Sequence, residues 1–145
     1  WEVKSAFRHR RTLCVGMIDL DNFKEINDRF GHGVGDQILI QLAEVIRNAT
    51  REPDLVGRCG GDEFAVILPE TSLKEGQAVM ERVRQRMEAL LLEPGGLRIT
   101  MSCGVAQLDP DDPHGLMNTA DRRLYRAKRL GGNQVVAEDG DDHRR

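Results

Sequence analysis

Two β-type runs flank a pair of glycines in the stretch LVGRCGGDEFAVIL, residues 55–68. Leu55 to Cys59 and Glu63 to Leu68 have the length and the β-branched content of strands. Since a glycine pair between two short apolar runs favours a tight connection, the stretch predicts a β-hairpin with Asp62 at its tip.

Strand and helix patterns alternate on both sides of this hairpin. The predicted elements are a strand from Thr12 to Ile18, helices from Asn22 to Phe30 and from Asp36 to Ala49, a helix capped by Ser72 and Glu75, a strand from Arg98 to Leu108, a helix from Asp112 and a last strand from Asn133 to Ala137. The order β-α-α-β-β-α-β-α-β predicts an α/β chain of the α+β type, with a mixed or antiparallel sheet and helices on one face.

Length and composition indicate one soluble domain. The chain has 145 residues, 39% of them hydrophobic, and no apolar run of the roughly 18 residues that a membrane span needs. A net charge of -3 argues against a broadly basic nucleic-acid surface and leaves a local phosphate site open. Cys14, Cys59 and Cys103 form no C-x-x-C pair, so we expect three buried cysteines in a reducing cytosol.

Two acidic pairs follow or begin predicted strands. Asp19 and Asp21 end the first strand, and Asp62 and Glu63 begin the second half of the hairpin. Either pair alone is typical of a solvated loop. Together, on neighbouring strands, they offer the oxygen ligands that Mg²⁺ takes when it is shared with phosphates. Lys24, one helical turn beyond Asp21, could lie against those phosphates.

Three motifs carry a family resemblance. Residues 60–64 read GGDEF, residues 19–36 read DLDNFKEINDRFGHGVGD, and residues 120–131 follow the pattern A-D-x-x-L-Y-x-A-K-x-x-G. From about Leu13 to Val136 the chain resembles the GGDEF family, the diguanylate cyclases, which condense two GTP into cyclic di-GMP and release two pyrophosphates. The resemblance implies a palm-like mixed central sheet with a ferredoxin-like core, flanking helices and a hairpin carrying the signature.

The resemblance also implies roles in an active site. Two Mg²⁺ ions, for which Mn²⁺ could substitute, would be held by Asp19, the Leu20 carbonyl, Asp62 and Glu63. Asp62 is associated with deprotonating the attacking 3′-hydroxyl, and Lys24 with stabilising charge in the transition state. Substrate contacts are implied for Asn27 and Asp36 at guanine, His32 in the nucleotide pocket, Lys128 at the triphosphate, and Gly60 and Gly61 beside the nucleotide. For His32 a helix-start histidine bonded to local backbone is the alternative.

A second site is implied by Arg51-Glu52-Pro53-Asp54, an R-x-x-D that five residues separate from Gly60. In the family this motif at this spacing binds cyclic di-GMP as the product-inhibition site, and Arg82 matches a position that helps to hold the inhibitor. A simple ion pair between Arg51 and Asp54, and a solvated Arg82, are the alternatives.

The chain departs from the family pattern at Gly132, where arginine is usual, and at Cys59, where an aromatic is usual. We expect residues 1–137 to form one GGDEF domain that lacks the family's usual first helix, with a polar, disordered tail at 138–145. The resemblance implies catalysis by a homodimer, an upstream sensor domain and a cytoplasmic location, including the cytoplasmic part of a membrane-anchored sensor. The alternative is a catalytically weak or inactive module that acts as a cyclic di-GMP or GTP receptor.

Overall fold

The computed structural model describes residues 12–92 and 95–140. Its elements follow the predicted order: β1 Leu13–Leu20, α1 Phe23–Phe30, α2 His32–Ala49, β2 Leu55–Arg58, β3 Glu63–Pro69, α3 Leu73–Ala89, β4 Met101–Gln107, a short 3-10 turn Pro113–Gly115, α4 Leu116–Arg129 and β5 Val135–Val136. Several boundaries differ from the prediction: β1 runs on to Leu20, α2 begins at His32, β4 begins at Met101, α4 begins at Leu116, and β5 is limited to Val135–Val136.

The sheet has the strand order β2-β3-β1-β4-β5. Its first four strands pair antiparallel, with β1 in the middle between β3 and β4. This arrangement of two βαβ-like halves is the ferredoxin-like order, and β5 joins β4 in parallel after α4. The predicted mixed sheet with a ferredoxin-like core is therefore confirmed.

Helices cover both faces of the sheet, so the prediction of helices on one face is wrong. Residues of α1, α2 and α3 share one apolar cluster with Cys14, Ile18 and Leu20 of β1. Residues of α4 share the other cluster with Leu13, Val15 and Met17. Because β1 is apolar on both faces, each face needs a covering layer.

Local signals are confirmed in two places and corrected in one. Ser72 and Glu75 form the predicted capping box at the start of α3, and β2 pairs with β3 as the predicted hairpin. Cys14 and Cys103 are buried, and burial raises the pKa of both thiols. Cys59, predicted to be buried, is exposed, because it follows an edge strand whose residues all face solvent.

The ends of the chain are described in part. Residues 1–11 and 141–145 lie outside the described residues, so the expected lack of a first helix and the expected tail from 138 stay predictions. Asp139, within the described part, accepts hydrogen bonds from Arg122 and Arg123 of α4. None of the helices in the described ranges has the length and apolar character needed to span a membrane.

Candidate active site

The pairing of β1 with β3 brings the two acidic pairs together. Asp19 is the direct partner of Glu63 across the ladder, and the Leu20 N–H donates to the Asp62 carbonyl at 3.3 Å. The turn between β2 and β3 is braced from inside, since the Arg58 guanidinium donates to the carbonyls of both signature glycines. The Asp62 position is therefore set by the sheet and not by a free loop.

Asp19 has an unsatisfied oxygen. Its Oδ1 is buried and, within the described part of the chain, takes no hydrogen bond from an amide, ammonium or alcohol group. Burial and a side-chain hydrogen bond with Asp62 raise the pKa of Asp19 to about 7, with the Lys128 ammonium opposing the shift and the Glu63 charge adding to it. A buried oxygen in this acidic setting favours a cation as its partner.

Asp21 is the opposite case, because its carboxylate is fully occupied by protein donors. Ser102 Oγ and Lys128 Nζ donate to Oδ1 at 2.7 and 2.9 Å. Thr100 Oγ1 and the Asn133 N–H donate to Oδ2 at 2.7 and 2.9 Å. Burial would raise the pKa of Asp21, but these hydrogen bonds outweigh it and lower the pKa below its ordinary value.

Asp19, Asp21, Asp62 and Glu63 together form an acidic cluster. Lys128 reaches into this acidic cluster from α4, on the far face of the sheet from α1. Its Nζ lies 2.9 Å from Asp21 Oδ1, 3.3 Å from the Leu20 carbonyl and 3.8 Å from Asp19 Oδ1. The Lys128 ammonium therefore lies next to two atoms that are predicted to bind metal, the Leu20 carbonyl oxygen and Asp19 Oδ1. It partly balances the cluster's negative charge.

The oxygen groups fit a divalent cation in type, but they do not form a closed cage. Among residues 12–92 and 95–140, no three His, Cys, Asp or Glu side chains are grouped so as to hold an ion by themselves. Mg²⁺ does not require such a cage, since it is held by one or two carboxylates together with water and substrate phosphates. Asp19 Oδ1, which accepts no hydrogen bond from the described residues and lies beside Asp62 and the Leu20 carbonyl, fits that mode of binding.

The predicted nucleotide residues lie on α1 and α2. Lys24, His32 and Asp36 are exposed, whereas Asn27 Oδ1 is buried and, among the described residues, has no hydrogen-bond donor. Gly31 separates the two helices with a φ of 94°, a conformation that favours glycine. The sharp turn at Gly31 sets Asn27 near the start of α2.

The R-x-x-D residues lie at the other end of β3. The Arg51 guanidinium donates to Asp54 Oδ1 at 3.3 Å, to the Pro69 carbonyl at 2.7 Å and to Thr71 Oγ1 at 3.0 Å. The Asp54 side chain is only 2% exposed, while that of Arg51 is 56% exposed. Since β3 runs from Glu63 to Pro69, about 20 Å of strand separate this pair from the acidic cluster.

Arg82 approaches the same region from α3. Its guanidinium donates to the Ala49 carbonyl at 3.1 Å, at the end of α2, and the residue is exposed. Arg51 and Arg82 thus flank the C-terminal end of α2, one just after it in the chain and the other from the neighbouring helix.

Three residues around Asp21 were not predicted from sequence: Thr100, Ser102 and Asn133. Ser102 is fully buried within the otherwise apolar run MSCGVA, residues 101–106. A hydroxyl in such a run needs a partner, and that is the signal from which this contact could have been inferred. Thr100 and Asn133 carry no comparable signal.

Comparison with known proteins identifies the family. The family model described as "Diguanylate cyclase, GGDEF domain" matches residues 2–134. Diguanylate cyclase A of Treponema denticola is 36% identical over 140 residues, which cover 94% of this chain and 38% of that protein. Diguanylate cyclase DgcP of Pseudomonas aeruginosa is 39% identical, over 92% of this chain and 21% of that protein. The chain thus spans well under half of these curated relatives.

Solved structures give the same result at the level of the fold. The active GGEEF domain of a diguanylate cyclase from Vibrio cholerae superposes with a TM-score of 0.89 at 34% identity, covering 93% of this chain and 88% of that one. The GGDEF domain of DgcB from Caulobacter crescentus, solved in complex with c-di-GMP, has a TM-score of 0.88 at 33% identity and covers 94% and 83%. With the signature at the hairpin tip and a match over nearly its whole length, this chain belongs to the diguanylate cyclase GGDEF domain family.

Proposed function

We propose that this domain is a diguanylate cyclase that condenses two GTP into cyclic di-GMP. The observation that carries the proposal is the buried Asp19 Oδ1, which accepts no hydrogen bond from the described residues, is held beside Asp62 and lies at ion-pair distance, 3.8 Å, from the Lys128 ammonium. The Asp19 and Asp62 carboxylates can bind a divalent cation, and the neighbouring Lys128 ammonium can bind phosphate oxygens. Family membership gives the reaction.

The metal set we propose is Asp19, the Leu20 carbonyl, Asp62 and Glu63, for two Mg²⁺ ions, with Mn²⁺ as a substitute. When bound, these ions would acidify the attacking hydroxyl and neutralise charge on the leaving group. Asp62 then accepts the proton of the 3′-hydroxyl. Its backbone is fixed by the Leu20 N–H, which keeps the carboxylate in the acidic cluster.

The bond changes define what two copies of the domain must do. The 3′-oxygen of one GTP forms a bond to the α-phosphorus of the other, and the bond from that phosphorus to the bridging oxygen breaks, releasing pyrophosphate. A second, equivalent step closes the ring. Because each copy holds one GTP, the reaction needs a homodimer, with Lys24 and Lys128 stabilising phosphate charge in each half.

Guanine recognition is assigned to Asn27 and Asp36, with His32, Gly60 and Gly61 beside the nucleotide. A carboxylate can accept hydrogen bonds from N1–H and N2–H₂ of guanine, and adenine does not present this pair of donors. The support in this chain is the close contact of the Asn27 side chain with Gly35, the residue before Asp36, together with an Asn27 Oδ1 that accepts no hydrogen bond from the described residues.

Product inhibition is assigned to Arg51, Asp54 and Arg82. Arg51 is more than half exposed although it makes three contacts, so its guanidinium is held in place and still open to a ligand. A fixed arginine of this kind suits phosphate or a guanine edge. Since the curated relatives are much longer than this chain, we further propose that the domain works in a longer cytoplasmic protein with a sensor part.

The test is GTP turnover with product analysis, at several protein concentrations and with Mg²⁺ titrated against a chelator. We expect cyclic di-GMP and pyrophosphate, a rate per protein that rises with protein concentration, and loss of turnover on chelation. Asp62→Asn should reduce turnover by at least about a hundredfold. Asp111→Asn, at an exposed carboxylate outside the cluster, is the matched control. Full activity in Asp62→Asn would contradict the proposal.

A second candidate is a receptor that binds cyclic di-GMP or GTP without turnover. Gly132 favours it, because glycine stands where the family usually has an arginine that reaches the triphosphate. Calorimetry with cyclic di-GMP and GTP, run beside the turnover assay, separates the two: a receptor binds a nucleotide and yields no product.

A further inference from the structure

The Asp21 carboxylate is tied to three parts of the chain that are distant in sequence, and it has no place in the proposed metal or substrate set. We propose that Asp21 is a positioning residue that fixes the Lys128 ammonium where the phosphates of GTP bind. The inference rests on the proposed function, because it assigns the support for one of the phosphate contacts named above.

The Asp21 side chain is fixed in place, and both of its carboxylate oxygens are occupied by protein donors. The residue is 9% exposed, and each carboxylate oxygen accepts two hydrogen bonds. Its own N–H donates to the Thr100 carbonyl at 2.9 Å, so the backbone is held as well. A carboxylate with both oxygens saturated by protein donors is poorly suited to bind a metal, and it acts on the site through the groups that it holds.

The loop that follows α4 is shaped around this carboxylate. Gly131, Gly132 and Asn133 have φ values of 115°, 78° and 53° in succession. A β-carbon at position 132 would lie 3.2 Å from the Asp21 carboxylate, tighter than an ordinary contact, so a side chain there would push against that carboxylate. The result is the hydrogen bond from the Asn133 N–H to Asp21 Oδ2.

The other side of the loop is held by α3. Arg84 donates to Asn133 Oδ1 at 2.9 Å, and Asn133 Nδ2 donates to Glu88 Oε2 at 2.7 Å. Arg84 is itself paired with Glu81 and Glu88 and is 15% exposed on its side chain. The Asn133 side-chain amide is thus held at its oxygen by Arg84 and at its nitrogen by Glu88. Through the Asn133 N–H, α3 supports the Asp21 carboxylate, which Ser102 of β4 also holds.

Lys128 is the group in this network that faces the acidic cluster. A lysine side chain has four flexible carbon bonds, and fixing it costs conformational entropy. The Asp21 ion pair fixes it in the free protein, beside the Leu20 carbonyl and Asp19, so that less order has to be imposed when a nucleotide binds. Without Asp21, the ammonium would have only the weaker contacts at 3.3 and 3.8 Å to hold it.

A double-mutant cycle tests this dependence. The variants are Asp21→Asn, Lys128→Gln and the pair together, and the probe is 3′-deoxy-GTP, which lacks the attacking hydroxyl and cannot be condensed. We expect Asp21→Asn to weaken binding about tenfold, Lys128→Gln to weaken it by about tenfold or more, and the double variant to match Lys128→Gln alone. If the two losses multiply, Asp21 does not act through Lys128 and the proposal is overturned.

Two controls separate positioning from general damage to the fold. Asp139→Asn removes another carboxylate bonded to α4 and should leave the affinity unchanged. Ser102→Ala removes one donor to Asp21 and keeps its charge, so it remains usable should Asp21→Asn fail to fold. We expect Ser102→Ala to weaken binding about threefold, and this loss to vanish in the Lys128→Gln background.

A nucleotide-free measurement keeps the test independent of the proposed function. In protein labelled with ¹⁵N-lysine, the bonded Lys128 ammonium should give a slowly exchanging proton signal, identified by its absence in Lys128→Gln. We expect Asp21→Asn to abolish this signal, and its persistence would overturn the inference. If 3′-deoxy-GTP does not bind the unaltered protein, the proposed function fails and this signal alone still decides the role of Asp21.

Discussion

The backbone of Gly35 packs against the side chain of Asn27, so closely that a β-carbon at position 35 would overlap Asn27 Oδ1 and crowd the Phe23 ring. Gly35 is buried, and Asp36 follows it on the exposed side of α2. The two residues proposed to read guanine are therefore brought together by a glycine between the helices. This contact makes the pocket sensitive to a single methyl group.

We expect Gly35→Ala to lower the affinity for GTP about tenfold and to cost about 1–3 kcal/mol of unfolding free energy, because the added β-carbon displaces Asn27 or separates α1 from α2. Gly33→Ala is the matched control: it lies in the same helix, and nothing is within 4 Å of its β-carbon position. Alanine there should be neutral or slightly stabilising. Calorimetric titration with 3′-deoxy-GTP and thermal melting measure both effects. Equal affinities in the two variants would contradict the proposed pocket.

The Arg51 and Asp54 pair leads to a prediction about regulation. Arg51→Ala should raise the concentration of cyclic di-GMP needed for half inhibition by about tenfold or more, because the guanidinium proposed to bind it is gone. The Mg²⁺ dependence should not change, since about 20 Å of β3 separate the pair from the acidic cluster.

Arg82→Ala should share this phenotype, whereas Arg86→Ala, one turn further along α3 and also exposed, should not. The measurement is initial GTP turnover against added product. Unaltered inhibition in Arg51→Ala would show that the pair is a structural ion pair only.

Much of the fold could be predicted from sequence, because its signals are local. The hairpin depends on residues 55–68 alone, and the capping box on Ser72 and Glu75. Which face of the sheet each helix packs against could not be predicted in the same way. The apolar stripe of α4 indicates that this helix packs on something, but β1 is apolar on both faces, and the stripe does not say which face the helix takes.

In the candidate site, too, contacts between residues distant in sequence could not be predicted. Asp19 and Asp21 end one strand and look equivalent in sequence. What distinguishes them is the set of donors around Asp21, which come from Thr100, Ser102 and Asn133, 79 to 112 residues away. Only the folded chain brings those donors to the Asp21 carboxylate and leaves Asp19 Oδ1 without a hydrogen bond from the described residues.

A prediction for pH concerns Asp139, whose pKa is lowered by hydrogen bonds from Arg122 and Arg123. A lowered pKa in the folded state means that the carboxylate stabilises the fold above its ordinary pKa, and that this contribution is lost as the pH falls through the lowered value. Asp139 is 46% exposed, so the contribution is small, about 0.5 kcal/mol.

Asp139→Asn should therefore reduce the unfolding free energy slightly at pH 7, and its gap to the unaltered protein should close by about pH 2–3. Urea unfolding at both pH values measures this. Asp111→Asn, at an exposed carboxylate that takes part in no ion pair in the described structure, should show no such gap. A gap in Asp139→Asn that stays constant with pH would mean that its charge is not the cause.

The last prediction concerns Gly132, which stands where the family usually has arginine. Gly132→Ala and Gly131→Ala both place a side chain at positive φ, and each should cost about 1–3 kcal/mol of unfolding free energy. Only the β-carbon at 132 meets Asp21, whereas nothing lies within 4 Å of the one at 131. We therefore expect only Gly132→Ala to weaken 3′-deoxy-GTP binding, by about tenfold, because it displaces the carboxylate that holds Lys128. For the same reason Gly132→Arg should lower GTP turnover and not raise it. A rise in turnover with Gly132→Arg would mean that the loop can open around an arginine, and that the close passage over Asp21 is not required for activity.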